Sequence, residues 1–215
     1  MVRKKTERPL KSENENQSEE GIKISHRKED LERLAQMRLF DDAFMTAVFQ
    51  DNVPAAEVLL NAILGKKVHV VHIETQRIVY DAGYHGIRMD IHIVDDEGNQ
   101  ANVEIQRARA GAHPRRARFN SAKLDSKMLD PGQNYSELQN SYVIFITEMD
   151  YFGDGKPFRS YSRRCDQNPD EVLNDGSMII YVNGAFVDDN HPVGRIMHDF
   201  RCLHAKDMFH PEFAD

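Results

Sequence analysis

The chain is 215 residues long, 40% apolar and 29% charged, with a formal net charge of −7. That length holds one medium domain, alone or with an appended tail, and the charge excludes a protein that coats nucleic acid by bulk positive charge, though not one with a local basic patch. No apolar run approaches the roughly 18 residues of a membrane-spanning helix. The basic N-terminus lacks the apolar stretch of a secretory signal, and two cysteines, Cys165 and Cys202, cannot build a disulfide framework or a four-thiolate zinc site. The cytoplasm is the expected compartment, without a membrane partner.

Residues 1–30 have Met1, Val2, Leu10, Ile22 and Ile24 as their only apolar side chains, with nearly balanced charges. Such a segment buries too little surface to offset its ordering entropy and reads as a disordered polar tail. A single domain is expected over residues 31–210. Leu31, Leu34, Met37, Phe40, Phe44, Val48 and Phe49 lead into Val53–Leu64, where Pro54 suits a first helical turn and Gly65 a C-cap. Two or three helices are predicted there, then a strand over Val68–Val79. Met89, Ile91 and Ile93 alternate with Asp90, His92 and Val94, Asp95-Asp96-Glu97-Gly98-Asn99 supplies turn chemistry, and Ala101–Arg107 alternates in return, which predicts a hairpin.

Beyond His113-Pro114 the spacing predicts a helix over Arg115–Asp130, stopped by Pro131-Gly132. Tyr142–Thr147 is continuously apolar, the pattern of a strand buried on both faces. Phe158–Arg163 and Met178–Val182 read as further strands and Val193–Met208 as a helix. The layout is mixed α/β.

With Gly98 near the turn centre, Asp90 falls roughly opposite Gln106 and His92 roughly opposite Glu104, and Asp90 shares a face with Glu104. Neighbours on one face lie about 5 Å apart directly and about 7–8 Å diagonally. Two carboxylates at that range repel unless a cation lies between them, and hard oxygens suit Mg²⁺ or Mn²⁺. The plain alternative is that Asp90, Glu104 and Gln106 form the solvated face of an antiparallel hairpin.

The local sequence is more specific. Gly86-Ile87-Arg88-Met89-Asp90, Asp95-Asp96-Glu97-Gly98 and Asn102-Val103-Glu104-Ile105-Gln106 resemble the D…ExQ version of the PD-(D/E)xK nuclease core. More narrowly, they resemble the recombination-promoting nuclease and transposase family. Collinear blocks extend the likeness: Asp41-Asp42-Ala43-Phe44, Arg116-Ala117-Arg118-Phe119-Asn120-Ser121, Pro131–Leu138, Ser141–Ile146, Asp150-Tyr151-Phe152-Gly153, and Leu173–Gly176 with Tyr181-Val182-Asn183.

The resemblance implies a restriction-endonuclease-like core, a mixed central sheet flanked by helices, and Mg²⁺-dependent (or Mn²⁺-dependent) hydrolysis of DNA phosphodiesters linked to recombination or transposition. It implies metal ligands at Asp90, Glu104 and the carbonyl of Ile105. Gln106 stands where many superfamily members carry Lys; a neutral amide orients water but cannot offset charge. Asp41 best fits the acid that completes such sites from an N-terminal helix, with Asp42 adjacent; either could instead be an N-cap. Met45 and Asn120 depart from the family pattern, Asn120 being read as a surface change.

Arg107, Arg109, Arg115, Arg116, Arg118, Lys123 and Lys127 fall in one stretch whose only acid is Asp125, and Arg116, Asn120, Lys123 and Lys127 are spaced along one helical face. Arg107, Arg116, Arg118, Lys123 and Lys127 are therefore the expected nucleic-acid contacts. His92 is a candidate neighbour of Glu104. The expected partner is DNA, with a homodimer left open. The competing reading is a catalytically weak nuclease-fold module that binds nucleic acid or a protein partner.

Overall fold

The computed structural model describes residues 28–80 and 85–214; residues 1–27, on which most of the expected tail falls, lie outside the described residues. The chain divides into two units, Met1–Met37 and Arg38–Asp215. In the first, residues 28–34 are helical. All that follows concerns the second.

That unit opens with helices α1 (Asp42–Phe49) and α2 (Val53–Leu64). The Asn52 side chain accepts the Ala55 N–H at 3.1 Å and starts α2, Pro54 occupies its first turn, and Gly65 ends it at φ +65°, a conformation that glycine adopts without steric cost. The strands are β1 (Val70–Val79), β2 (Ile87–Asp95), β3 (Gln100–Gln106), β4 (Ser141–Thr147), β5 (Phe158–Tyr161), β6 (Arg164–Cys165), β7 (Asn168–Val172) and β8 (Ser177–Asn183). Helix α3 (Pro114–Asp125) connects β3 to β4, and α4 (Pro192–Arg201) follows β8.

Six strands form one sheet in the order β1-β2-β3-β4-β8-β5. The β1-β2-β3 and β8-β5 pairs are antiparallel, whereas β3-β4 and β4-β8 are parallel. Crossover helices are what parallel neighbours require, and α3 supplies one. β6 and β7 form a separate small ribbon that the apolar pattern does not signal.

Helices cover both faces. Leu39, Phe49, Leu59, Ile91, Val103, Ile144, Ile146, Val182, Ile196 and Phe200 belong to one core, with α1, α2 and α4. Met89, Ala117, Leu124, Val143, Phe145 and Tyr181 form a second, beneath α3. β4 thus feeds alternate residues into both cores, which is why its run is apolar throughout.

Three expectations shift. Asp95 Oδ1 accepts the N–H groups of Glu97 (3.0 Å) and Asn99 (2.8 Å), and Gly98 takes φ +82°. This tight turn is centred one residue earlier than Gly98, so the register is Ile91 with Val103 and His92 with Asn102. Continued one step, it sets Asp90 opposite Glu104, rather than Gln106. Met89 enters the second core while Ile91 and Ile93 enter the first; the break in alternation lies beside Gln76, which has φ +55°. Finally, α3 stops at Asp125, its end tightening through Lys127 N–H to Leu124 O and Met128 N–H to Asp125 O. Likewise α4 ends at Arg201, where Cys202 turns extended. No helix among the described residues is long and apolar enough to cross a membrane.

Phe200 sits among Phe40, Phe49 and Phe213, with ring centroids 5.5, 6.4 and 6.0 Å away. Phe200→Ala is expected to cost about 3–5 kcal/mol, read as a lowered urea midpoint at unchanged slope.

Candidate active site

Asp90 lies within β2, one residue past the last pair with β3. Its Oδ2 accepts the Ile105 N–H at 2.9 Å. Glu104 is fully buried, because α3 lies over the face that alternation assigns to Asn102, Glu104 and Gln106. The solvated-face alternative therefore fails at Glu104.

Each oxygen of Glu104 has a donor. Oε1 accepts from Asn102 Nδ2 at 3.1 Å, and Oε2 from Arg116 Nη2 at 2.6 Å and Gln106 Nε2 at 3.5 Å. Arg116 Nη1 also donates to Gln106 Oε1 (3.3 Å) and the Gly111 carbonyl (3.2 Å). A Cβ at Gly111 would lie 2.0 Å from Gln106 Oε1, so glycine there permits the amide to reach its place. A guanidinium thus joins the Glu104 acid and the Gln106 amide.

Burial is the largest influence on both carboxyls. It raises Asp90, a rise to which the Asp42 charge adds and which the Ile105 N–H, Arg116 and Arg88 oppose. Burial and then the Asp90 charge push Glu104 up to about 7, against Arg116 and Asn102. Glu104 thus resists ionising beside the Asp90 charge.

Asp41 occupies the N-cap position of α1 without capping it. Instead it accepts the Arg38 N–H (2.8 Å) and Arg107 Nη1 (2.5 Å), while Glu148 takes Arg107 Nε at 3.0 Å and Arg38 Nη2 at 2.9 Å. Arg107 is committed to these acids. Asp42, 3.8 Å from Arg88, is the N-terminal acid whose charge reaches Asp90.

Beside Asp90 opens a cavity of about 260 Å³ lined by Arg88, Asp90, Arg116, Phe119 and Asn120, among others. Asn120 is 2% exposed and its Nδ2 has no hydrogen-bond partner; Asn102 Oδ1 is likewise unpartnered. Asn120 is therefore no surface change. Sequence reasoning missed it and Asn102, although Asn102 shares the Glu104 face two residues away. A larger cavity of about 600 Å³ lies between Ile63, Tyr142, Phe158 and Met178, among others, and carries no comparable carboxylate pair.

The expected basic stripe divides. Arg116 is exposed along its length but its guanidinium reaches Glu104, Asn120 is buried, Arg118 is exposed, Lys123 lies 5.6 Å from the Phe119 ring, and Lys127 follows the end of α3. His92 is not beside Glu104: it pairs with Asn102, contacts Gln100 Oε1 at 2.8 Å and Arg77 Nη1 at 2.7 Å, and burial lowers it to about 4. With His72 and Glu74 it makes a cluster of metal-ligand types, but the Arg77 cation already lies against it. Met45 is a core residue.

A mixed sheet clad by helices on both faces, with paired acids on a β-hairpin, defines the restriction-endonuclease-like class. The family model for PD-(D/E)XK nuclease family transposases matches residues 50–188, and the chain belongs to that family. No curated protein and no solved structure matches it significantly. Asp41 and Asp42 precede the matched segment. Nucleases of this kind generally use divalent metals, and the residues present fit one: two buried carboxylates that repel each other, beside a cavity with an unpartnered amide.

The raised Glu104 has a thermodynamic signature. Folding favours its protonated form, so its contribution is fully present below pH 4.5 and is lost as pH rises towards about 7. Without divalent metal, wild type should lose on the order of 3 kcal/mol relative to Glu104→Gln between pH 4.5 and 8. His92 acts oppositely in both proteins and cancels in the difference. Chemical denaturation across pH measures it; a flat difference would remove the buried charge from the account.

Proposed function

We propose that the protein is a metal-dependent endonuclease that hydrolyses DNA phosphodiesters at Asp90 and Glu104. The closeness of these two buried acids, with Asp90 lining an open cavity, carries the reading. Asp90, Glu104 and the carbonyl of Ile105 would hold Mg²⁺ or Mn²⁺. When bound, such an ion acidifies a water and polarises the phosphate.

The chain's own groups account for the rest. Gln106 orients the attacking water through an amide that Arg116 steadies. Arg116 supplies from α3 the positive charge that a neutral Gln106 lacks, so the site needs no lysine on β3. Asn120 Nδ2 donates to a phosphate oxygen, which gives its buried N–H a partner. Asp42 fits the supporting acid better than Asp41, which is bound by Arg107. Arg118, Lys123 and Lys127 would meet flanking phosphates. Nothing in the fold or the family match supports a homodimer. The family name extends to transposition, but the site chemistry supports cleavage.

Supercoiled plasmid incubated with Mg²⁺ or Mn²⁺ should be nicked by wild type and not by Asp90→Ala. Equal nicking by the variant would refute this site, and DNA retention by both without nicking would favour a binding module. Asn120→Ala is expected to lower kcat by roughly 10²-fold, the scale of one lost donor to a developing charge. Arg118→Ala with Lys123→Ala should instead weaken DNA retention and flatten its salt dependence, assayed by filter binding across a salt series.

A further inference from the structure

Helix α4 covers the face of the sheet opposite α3, and its last turn gathers groups that the nuclease chemistry does not use. His198 Nδ1 lies 3.1 Å from Asp199 Oδ1, and Cys202 Sγ lies 3.6 Å from His198 Nδ1. One ligand atom from each of the three residues falls within 4.8 Å of the others. We propose that His198, Asp199 and Cys202 form a zinc site, separate from the Asp90–Glu104 pair.

Three observations carry this. The first is spacing. A tetrahedral Zn²⁺ with Zn–N of about 2.0–2.1 Å and Zn–S of about 2.3 Å sets its N···S edge near 3.6 Å and its N···O edge near 3.3 Å; the observed separations are 3.6 and 3.1 Å.

The second is that the carboxylate is already held in place. Asp199 is fully buried. Its Oδ1 accepts the Phe209 N–H at 2.7 Å, and its Oδ2 accepts the His210 N–H at 3.0 Å and meets His210 Nδ1 at 2.6 Å. Partners of that kind around a ligating carboxylate raise metal affinity. The His198 ring is steadied against Phe209, centroids 4.6 Å apart.

The third is donor chemistry. Sulfur, imidazole and carboxylate suit Zn²⁺ and not Mg²⁺. One thiolate and one carboxylate neutralise a dication, which removes the charge penalty of a half-buried site. His198 and Cys202 are only partly buried, which leaves an approach from solvent. Through Asp199 the ion would tie α4 to the segment carrying Phe213, a residue of the first core.

By sequence spacing His198 and His204, six residues apart, are poor for one helical face and do not read as a zinc pair. The structure instead puts Cys202, four residues on, beside His198. That spacing returns to the same helical face.

The full-length protein, kept in excess Mg²⁺ so that hard-oxygen sites are filled, is titrated with Co²⁺ as an optical probe. The expected result is one tetrahedral cobalt per chain, with visible ligand-field bands and a thiolate-to-cobalt charge-transfer band, displaced by Zn²⁺. Cys202→Ser should abolish the charge-transfer band, and His198→Ala and His210→Ala should each weaken binding about tenfold or more. Zn²⁺ should also raise the melting temperature of wild type but not of Cys202→Ser. Asp90→Ala, which removes the nuclease site, should keep the cobalt spectrum, so the two proposals fail separately. Absence of the band in wild type, its persistence in Cys202→Ser, or unchanged affinity in His198→Ala would each overturn the zinc site.

Discussion

Two carboxyl groups are forced together where β2 and β3 separate, and Glu104 is wholly buried there. Removing such acids from water is costly unless charge or hydrogen bonds compensate. The surroundings show the compensation: the Ile105 N–H on Asp90, and Asn102 and Arg116 on Glu104. Arg116 can arrive only because α3 crosses this face, packing Ala117 and Leu124 into the second core. The helix connecting β3 to β4 is thus both the cover of the sheet and the carrier of the charge that meets Glu104.

That arrangement also bears on Gln106, two residues beyond Glu104 on β3. The guanidinium reaches both side chains from the adjacent helix. Gly111 keeps the space that the Gln106 amide occupies.

The two faces of the sheet carry different burdens. One holds the larger apolar core and the aromatic cluster around Phe200; the other combines a smaller core with buried polar groups, among them unpartnered atoms of Asn102 and Asn120. Unsatisfied buried amides cost stability, and in a protein whose opposite face is well packed that cost is sustainable near a site. On the far side, Asp199 shows the contrasting case, a buried acid with each oxygen hydrogen-bonded.

Much was legible from local pattern. The continuous apolar run of β4, the Pro and Gly that bound α2, the hairpin and the collinear motifs from Asp41 to Asn183 follow from alternation, turn chemistry and residue identity, which act over a few residues. Net charge was the least informative quantity, because what matters is where Arg116, Arg107 and the acids meet. The register that brings Asp90 level with Glu104 depended on a one-residue difference in the centre of a turn. The inward turn of Asn120, the commitment of Arg107 to Asp41 and Glu148, and the meeting of His198 with Cys202 and Asp199 depended on packing between distant segments. The chain by itself determined which elements form and which acids are available. The tertiary structure alone decided which charges are buried together, because burial and long-range pairing are properties of the packed elements and leave no periodic mark in the sequence.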